Sequence, residues 1–355
     1  MTPRQLDVRS LAGSKEVYAA RDRGYFPVVL RTGPREAVAA IRGGAGHIGI
    51  QGRLEIIRTT DSGRTWSAPT VAAQSEWDDR NPSLGLALDR TMVLAYHHQG
   101  NYDEKGDLKR GNKVDTLLRT SKDLGRTWSE AFPLSFAELN GRSPYGRMLN
   151  LGKDLLMPIY GAPLERPPTE WSVSYILRSR DGGRTWGDLS LVATEMNETS
   201  FICLPDGELL ALMRSEKSHP ASLYSARSGD GGHTWSEPVR VTADSEHPGD
   251  IILLSNGWLL LAYGHRHPPF GVQGLVSTDW GLTWAQDYKL IFADDRPGGD
   301  CGYPSLTVFG DGSLLLMYYS AGDHMDSRRL DGAFAKVVLF DEDKLISALR
   351  KRGLR

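Results

Sequence analysis

At 355 residues, with 24 % charged residues and a net charge of −2, the chain has no bulk charge suited to a nucleic-acid or membrane surface. Its hydrophobic content of 40 % is enough for a large buried core, and no apolar run approaches the ~18 residues that span a bilayer. Two cysteines, Cys203 and Cys301, are too few for a disulfide scaffold, and Cys203 reads as a small buried hydrophobe.

The first stretch, MTPRQLDVRSLAGSKEVYAARDRGYF, lacks the apolar segment of a secretory leader, so a cytoplasmic protein is expected. A secreted chain whose leader had been removed would read the same way. Glycine is abundant, at 39 residues, and helical periodicity is scarce, which favours short strands and tight turns.

From Phe26 onward a pattern sets in. FPVVLRTGPREAVAAIR is an apolar strand, a polar turn and a second apolar strand, a buried hairpin. TTDSGRTW follows at 59–66, a second turn whose Ser/Thr and Asp side chains bond the backbone while Gly supplies positive φ and Trp caps the turn. The pair then recurs. Apolar hairpins begin at PSLGLALDR, GRMLNLGKD, TSFICLPDG, DIILLSNGW and PSLTVFGDG. The Trp turn returns as SKDLGRTW, SRDGGRTW, SGDGGHTW and STDWGLTW, with aspartates at 61, 123, 181, 230 and 279. Five equivalent copies are architecture rather than chemistry, since a reaction needs one site.

The repeat predicts a four-stranded unit every ~50–60 residues, the spacing of blades around an axis. Six units account for nearly the whole chain, so one all-β domain over 1–355 is expected: a six-bladed β-propeller with blades over roughly 25–340 and Trp turns in blades one to five. Blade six lacks the turn; AFAKVVLFD at 333–341 and the N-terminal segment are its expected outer strands.

In a hairpin the start of strand one and the end of strand two share an edge. One face of the propeller therefore gathers Tyr25, Asp79, Arg80, Tyr145, Arg147, Glu198, Asp250 and Tyr303 from strand starts. Strand ends add Arg42, His47, His97, His98, Tyr160, Arg214, His265, Arg266 and Tyr318. A mouth with several arginines suits an anionic ligand, because the guanidinium fork pairs a carboxylate bidentately. No metal cluster has ligand spacing that stands out; His265 and His267 flank Arg266 without an evident third partner. No cofactor motif is visible.

On these residues the chain resembles the sialidase (neuraminidase) superfamily, whose Asp box, or BNR repeat, is similar to the Trp turn. The stretch NETSFICLPDGELLALMR is similar to the segment that begins Asn-Glu and ends in Arg. The resemblance implies that Glu198 assists the nucleophile and Arg214 belongs to a carboxylate-binding triad. GYPSLTVFGDGSLLLMYY is similar to the segment carrying the nucleophilic tyrosine, here Tyr303. Arg266 stands where the third arginine is expected. A neutral tyrosine suits a substrate whose carboxylate would repel an anionic nucleophile, and sialidases are the tyrosine exception among glycosidases. The implied activity is that of an exo-glycosidase cleaving a terminal, sialic-acid-like sugar from an acidic glycan.

Two positions depart from the pattern. The family's first triad arginine precedes a proline by two residues at the start of blade one; here Tyr25 stands there, leaving Arg42 or Arg80 as substitutes and Arg147 as a further rim cation. The family's acid/base aspartate lies in the loop before the first Asp box, which here reads RGGAGHIGIQGR. His47 is the general-acid candidate in that loop, with Asp79 the nearest carboxylate alternative. These departures keep open a uronate-directed lyase or rhamnosidase-type hydrolase using His47 and Tyr25, and a non-catalytic glycan-binding propeller.

Overall fold

Continuous apolar stretches such as Leu259–His265 and Ser313–Ser320 become central strands, buried on both faces because each sheet is packed between two others. The computed structural model describes residues 4–100, 102–103, 106, 114–135, 138–166, 173–215, 221–322 and 329–355. They form six sheets in the expected propeller arrangement. Blade one runs Tyr25–Arg31, Ala37–Gly43, Arg53–Thr59 and Thr70–Ala73, from the axis outward. Blades two, four and five repeat that order, starting at Asp78, Met196 and Glu246.

Blade six takes Cys301–Val308, Ser313–Ser320 and Phe334–Asp341, and its outermost strand is the N-terminal Lys15–Arg21, which pairs antiparallel with Phe334–Asp341. The ring is thus closed by joining the two ends of the chain in one sheet, as the sequence predicts. Further elements fall outside that prediction. Arg4–Asp7 adds a parallel fifth strand to blade five. A helix, Glu342–Lys351, is capped by Asp341, which accepts from the Lys344 amide at 2.9 Å, and buries Leu345, Ile346 and Leu349.

The core is distributed as one apolar cluster per blade interface. Alternation along each central strand sends neighbours to opposite sides. In blade six, Leu314, Leu316 and Tyr318 pack towards blade five, while Leu315 and Met317 pack towards Val29, Ala39 and Ile41 of blade one. The same parity carries Tyr319 away from Tyr318 and into a seventh, aromatic cluster with Tyr25, Phe26, Tyr145, Tyr160 and Tyr303.

The five box aspartates lie in the turns between third and fourth strands, at the edge opposite that mouth. Each carboxylate ties its turn together. Asp181 accepts from Ser179 Oγ at 2.9 Å, the Arg184 and Thr185 amides at 3.0 and 2.9 Å, and Thr185 Oγ1 at 2.6 Å. The indoles of Trp66, Trp186 and Trp235 each donate to the box glycine carbonyl at 3.1 Å. Among the described residues no helix is long and apolar enough to cross a membrane.

Candidate active site

Every innermost strand breaks register near its start. The shifts fall between Tyr25 and Val28, Arg80 and Ser83, Asn140 and Ser143, Met196 and Thr199, Glu246 and Gly249, and Gly302 and Ser305. Such bulges re-aim side chains. In three blades the residue before a proline is also forced to positive φ: Phe26 at 53°, Asn81 at 50° and Tyr303 at 46°. Bulky residues rarely adopt that region, and strain of this sort collects at functional sites. Tyr303 is thereby turned into the mouth.

There the Tyr303 hydroxyl donates to Glu198 Oε1, and Arg214 Nη1 donates to Glu198 Oε2 at 2.9 Å. Both Glu198 and Tyr303 are buried. Burial, with the Glu198 carboxylate next, pushes the Tyr303 phenol well above its ordinary value, so it carries its proton at neutral pH. Arg266 lies over the Tyr303 ring, 5.2 Å from its centroid, and its Nε and Nη2 find no hydrogen-bond partner among the described residues. The structure therefore brings Glu198, Arg214, Arg266 and Tyr303 together.

The other expected rim residues divide. Arg42 has no exposed surface; it pairs with Asp78 and donates to the Gly46 and Gly49 carbonyls at 2.9 and 3.3 Å. It cannot reach a ligand, and instead holds the loop that carries His47. Arg80 lies 3.7 Å from Asp78, stands 5.6 Å over the Phe26 ring, and leaves Nε without a partner among the described residues. Arg80 also precedes Pro82 by two residues, the arginine–proline spacing missing from blade one.

Arg147 is drawn below the mouth. Gly146–Arg147 crosses to pair parallel with Ser83 and Leu84, and the guanidinium bonds Asp250 Oδ1 at 2.8 Å and the carbonyl of Leu306. It lines a small pocket together with Phe26, Tyr145 and Tyr303. Tyr25 has no exposed surface, and its hydroxyl donates to the Arg329 carbonyl at 3.3 Å. Asp79 is likewise enclosed, bonded to His98 Nδ1 at 2.8 Å, while that imidazole stacks on Trp77. Tyr318 faces away, for the parity reason given above, and Tyr319 takes the place expected of it.

His47 does reach the mouth, with its ring 4.9 Å from that of Phe26, whose other side meets Tyr303 at 5.0 Å. Its Nδ1 lies 2.8 Å from Asp300 Oδ1, which also accepts from the Tyr319 hydroxyl at 2.6 Å. Burial would raise the Asp300 pKa, but the bond from His47, with that from Tyr319, holds the carboxyl below its usual range, so the oxygen accepts and Nδ1 carries the proton. Nε2 is then the free lone pair. Burial, outweighing the Asp300 bond and helped by nearby Arg80 and Arg266, lowers the imidazole below its ordinary value. His47 is therefore neutral at neutral pH, with a base-competent nitrogen.

Sequence reasoning missed Asp300, in the loop RPGGDCGY. It also missed His247, a buried neutral imidazole pushed down to about 2 by burial and by Arg214 and Arg266.

With this geometry in place, comparisons locate the chain among known proteins. The BNR repeat-like domain matches residues 35–316. No curated protein matches the sequence. A protein of unknown function from Dyadobacter fermentans shares 22 % identity at a TM-score of 0.76, over 93 % of this chain and 100 % of that one. A Hadza microbial sialidase shares 17 % at 0.68, over 90 % of this chain and 66 % of that one. The intramolecular trans-sialidase of Ruminococcus gnavus, solved with oseltamivir carboxylate, shares 15 % at 0.69, over 95 % of this chain and 99 % of that one. At these identities the likeness carries the fold alone. The domain match spans well over half the residues, and the chain belongs to the BNR repeat-like domain family, on the six-bladed propeller seen in sialidases.

Proposed function

We propose that this chain is an exo-glycosidase of the sialidase type, releasing a terminal acidic sugar from an acidic glycan. The observation that carries the reading is the buried bond from Tyr303 to Glu198, with Arg214 on the second carboxylate oxygen. The phenol is too weakly acidic to ionise alone, so a base in contact with it is what a tyrosine nucleophile needs. As Tyr303 Oη bonds the anomeric carbon, the bond from that carbon to the leaving-group oxygen breaks and the phenol proton passes to Glu198 Oε1. The departing oxygen takes a proton from protonated His47 or, in an aryl glycoside, leaves as the aryloxide. Arg214 stabilises Glu198 before transfer, and Arg80, Arg214 and Arg266 supply the positive mouth for the sugar carboxylate. His47 then takes a proton from the water that cleaves the sugar–tyrosine bond, with Asp300 steadying the imidazolium.

Glycosidic cleavage of a poor leaving group also requires the protonated form of His47, which its depressed pKa makes scarce at neutral pH. This neutrality favours a second reading. A uronate lyase needs a base from the outset, to abstract the proton beside a carboxylate that arginines neutralise, and His47 with Asp300 fits that role. Tyr25 is enclosed and has no part in either scheme.

One pair of assays separates them: incubation with a fluorogenic sialoside, and with a uronate-containing oligosaccharide monitored for the ultraviolet absorbance of an unsaturated product. Fluorophore release supports the glycosidase. Unsaturated product without fluorophore release rejects it in favour of the lyase, and silence in both leaves a binding propeller.

A further inference from the structure

Beside the mouth, blade five gathers three side chains that the proposed chemistry does not use. Glu246 starts its innermost strand, and its register partner across the sheet is His265, which ends the next strand; His267 follows in the loop. One ligand atom from each lies within 4.8 Å of the others. Glu246 Oε1 stands 3.9 Å from His265 Nε2 and 3.9 Å from His267 Nε2. These separations suit a single ion about 2.0–2.2 Å from each ligand.

The atoms behind this convergence are already engaged. His265 Nδ1 lies 2.8 Å from the Pro269 carbonyl, which can only accept. Nδ1 therefore holds the proton and Nε2 presents its lone pair, the arrangement typical of a metal-ligating histidine. Glu246 Oε2 accepts from the Ala243 amide at 2.9 Å and faces Lys289 Nζ at 3.8 Å, the Tyr263 hydroxyl also bonds this carboxylate, and Oε1 faces the two imidazoles. The imidazoles themselves lie with ring centroids 3.8 Å apart. Glu246 and His265 are buried, while His267 is 44 % exposed in its side chain, so the pocket is built on one side and open to water on the other.

We propose that Glu246, His265 and His267 form a binding site for a divalent transition ion of the zinc class, with water completing the coordination at the exposed side. Two imidazoles with one carboxylate select such ions over magnesium and calcium, which prefer all-oxygen shells. Lys289 opposes the added charge from the side of Glu246 Oε2, and its Nζ is also tied to the Tyr263 hydroxyl at 3.2 Å. Arg266 lies between the two histidines in the chain, so an ion here would pin the segment that presents a mouth arginine.

The test uses the full chain, purified without a histidine tag and stripped with a chelator, then titrated with Zn²⁺ alone against a chromogenic zinc chelator. One Zn²⁺ per chain is expected. His267→Ala, at the surface where folding is not at risk, should weaken binding at least ~10–100-fold, since even outer-shell partners of metal ligands are worth that much. Glu246→Gln should weaken it comparably, with circular dichroism confirming its fold. Equal affinity of the wild type and His267→Ala overturns the proposal, and so does displacement of Zn²⁺ by excess Ca²⁺. Neither readout depends on catalysis, so the proposed activity and this site stand or fall separately.

Discussion

The two faces of the propeller are made by the same hairpins and are used in opposite ways. On the far face, five turns repeat one solution: an aspartate satisfying three or four local donors beside a tryptophan. On the mouth face each blade contributes something different, Arg80 from one, Glu198 and Arg214 from another, Asp300 and Tyr303 from a third. Repetition gives stability through redundancy. Divergence gives a site, because one reacting centre needs unlike groups converging from several directions. The contrast predicts that mouth substitutions cut rate while sparing stability, and that box substitutions do the reverse.

The largest expected effect tests the mouth at its centre. Tyr303→Phe removes the nucleophilic oxygen and leaves the packing of the aromatic cluster intact. The kcat/KM should fall by roughly 10³-fold or more on aryl and natural-type glycosides alike, with the melting temperature nearly unchanged. A residual rate near that of the wild type would remove Tyr303 from the mechanism.

His47→Ala comes next, at about 10²–10⁴-fold in kcat on a glycoside with a poor leaving group and far less on an aryl glycoside. Its pH dependence has a definite sign. Because burial lowers the His47 pKa, the protonated acid grows as pH falls, so the rate on poor leaving groups should peak at lower pH than the aryl rate. Asp300→Asn should weaken catalysis through the same residue and move that profile, which a purely structural role would not. Coincident profiles for both substrates would show that His47 does not donate the leaving-group proton.

A smaller effect is expected from Arg266→Met. A charge-assisted hydrogen bond is worth about 1.5–3 kcal/mol, or roughly 10–150-fold, and the loss should appear in KM for a carboxylate-bearing substrate. Loss confined to kcat would argue that Arg266 acts on the transition state instead.

Much of this contrast is legible before any coordinates. The repeat fixes the blade count, and hairpin geometry places Glu198, Arg214, Arg266 and Tyr303 at one edge. What the pattern cannot give is the side of the blade that each residue faces. Parity along a strand would supply it, but the bulge at the start of every inner strand resets that parity. Asp79 turns inward at such a strand start. On the second strands, where alternation is unbroken, the pattern alone does not say which phase meets the site, so Arg42 is enclosed and Tyr319 rather than Tyr318 faces the mouth. Asp300 and Glu246 become meaningful only through partners far away in the chain, His47 in one case and two histidines in the other.

The smallest effect on rate is expected at the far face. Asp181→Ala removes an acceptor for four donors in one turn, and a loss of about 1–3 kcal/mol in stability follows for partly buried groups left without a partner. Denaturant midpoints should show it, while kcat/KM below the melting range stays within about twofold. Acid sharpens the same point. The hydroxyls of Thr127 and Thr234, foremost among several donors, hold the Asp123 and Asp230 carboxyls below the usual range. A carboxyl depressed in the folded state contributes stability that is fully present above its unfolded value of about 4 and is lost as pH falls through the folded value. Acid unfolding of the wild type should therefore draw on all five turns at once, and a variant lacking one box aspartate should be less sensitive to pH below about 4 because one linked group is gone. If Asp181→Ala instead cost as much activity as Tyr303→Phe at full stability, the division between a structural face and a chemical face would fail.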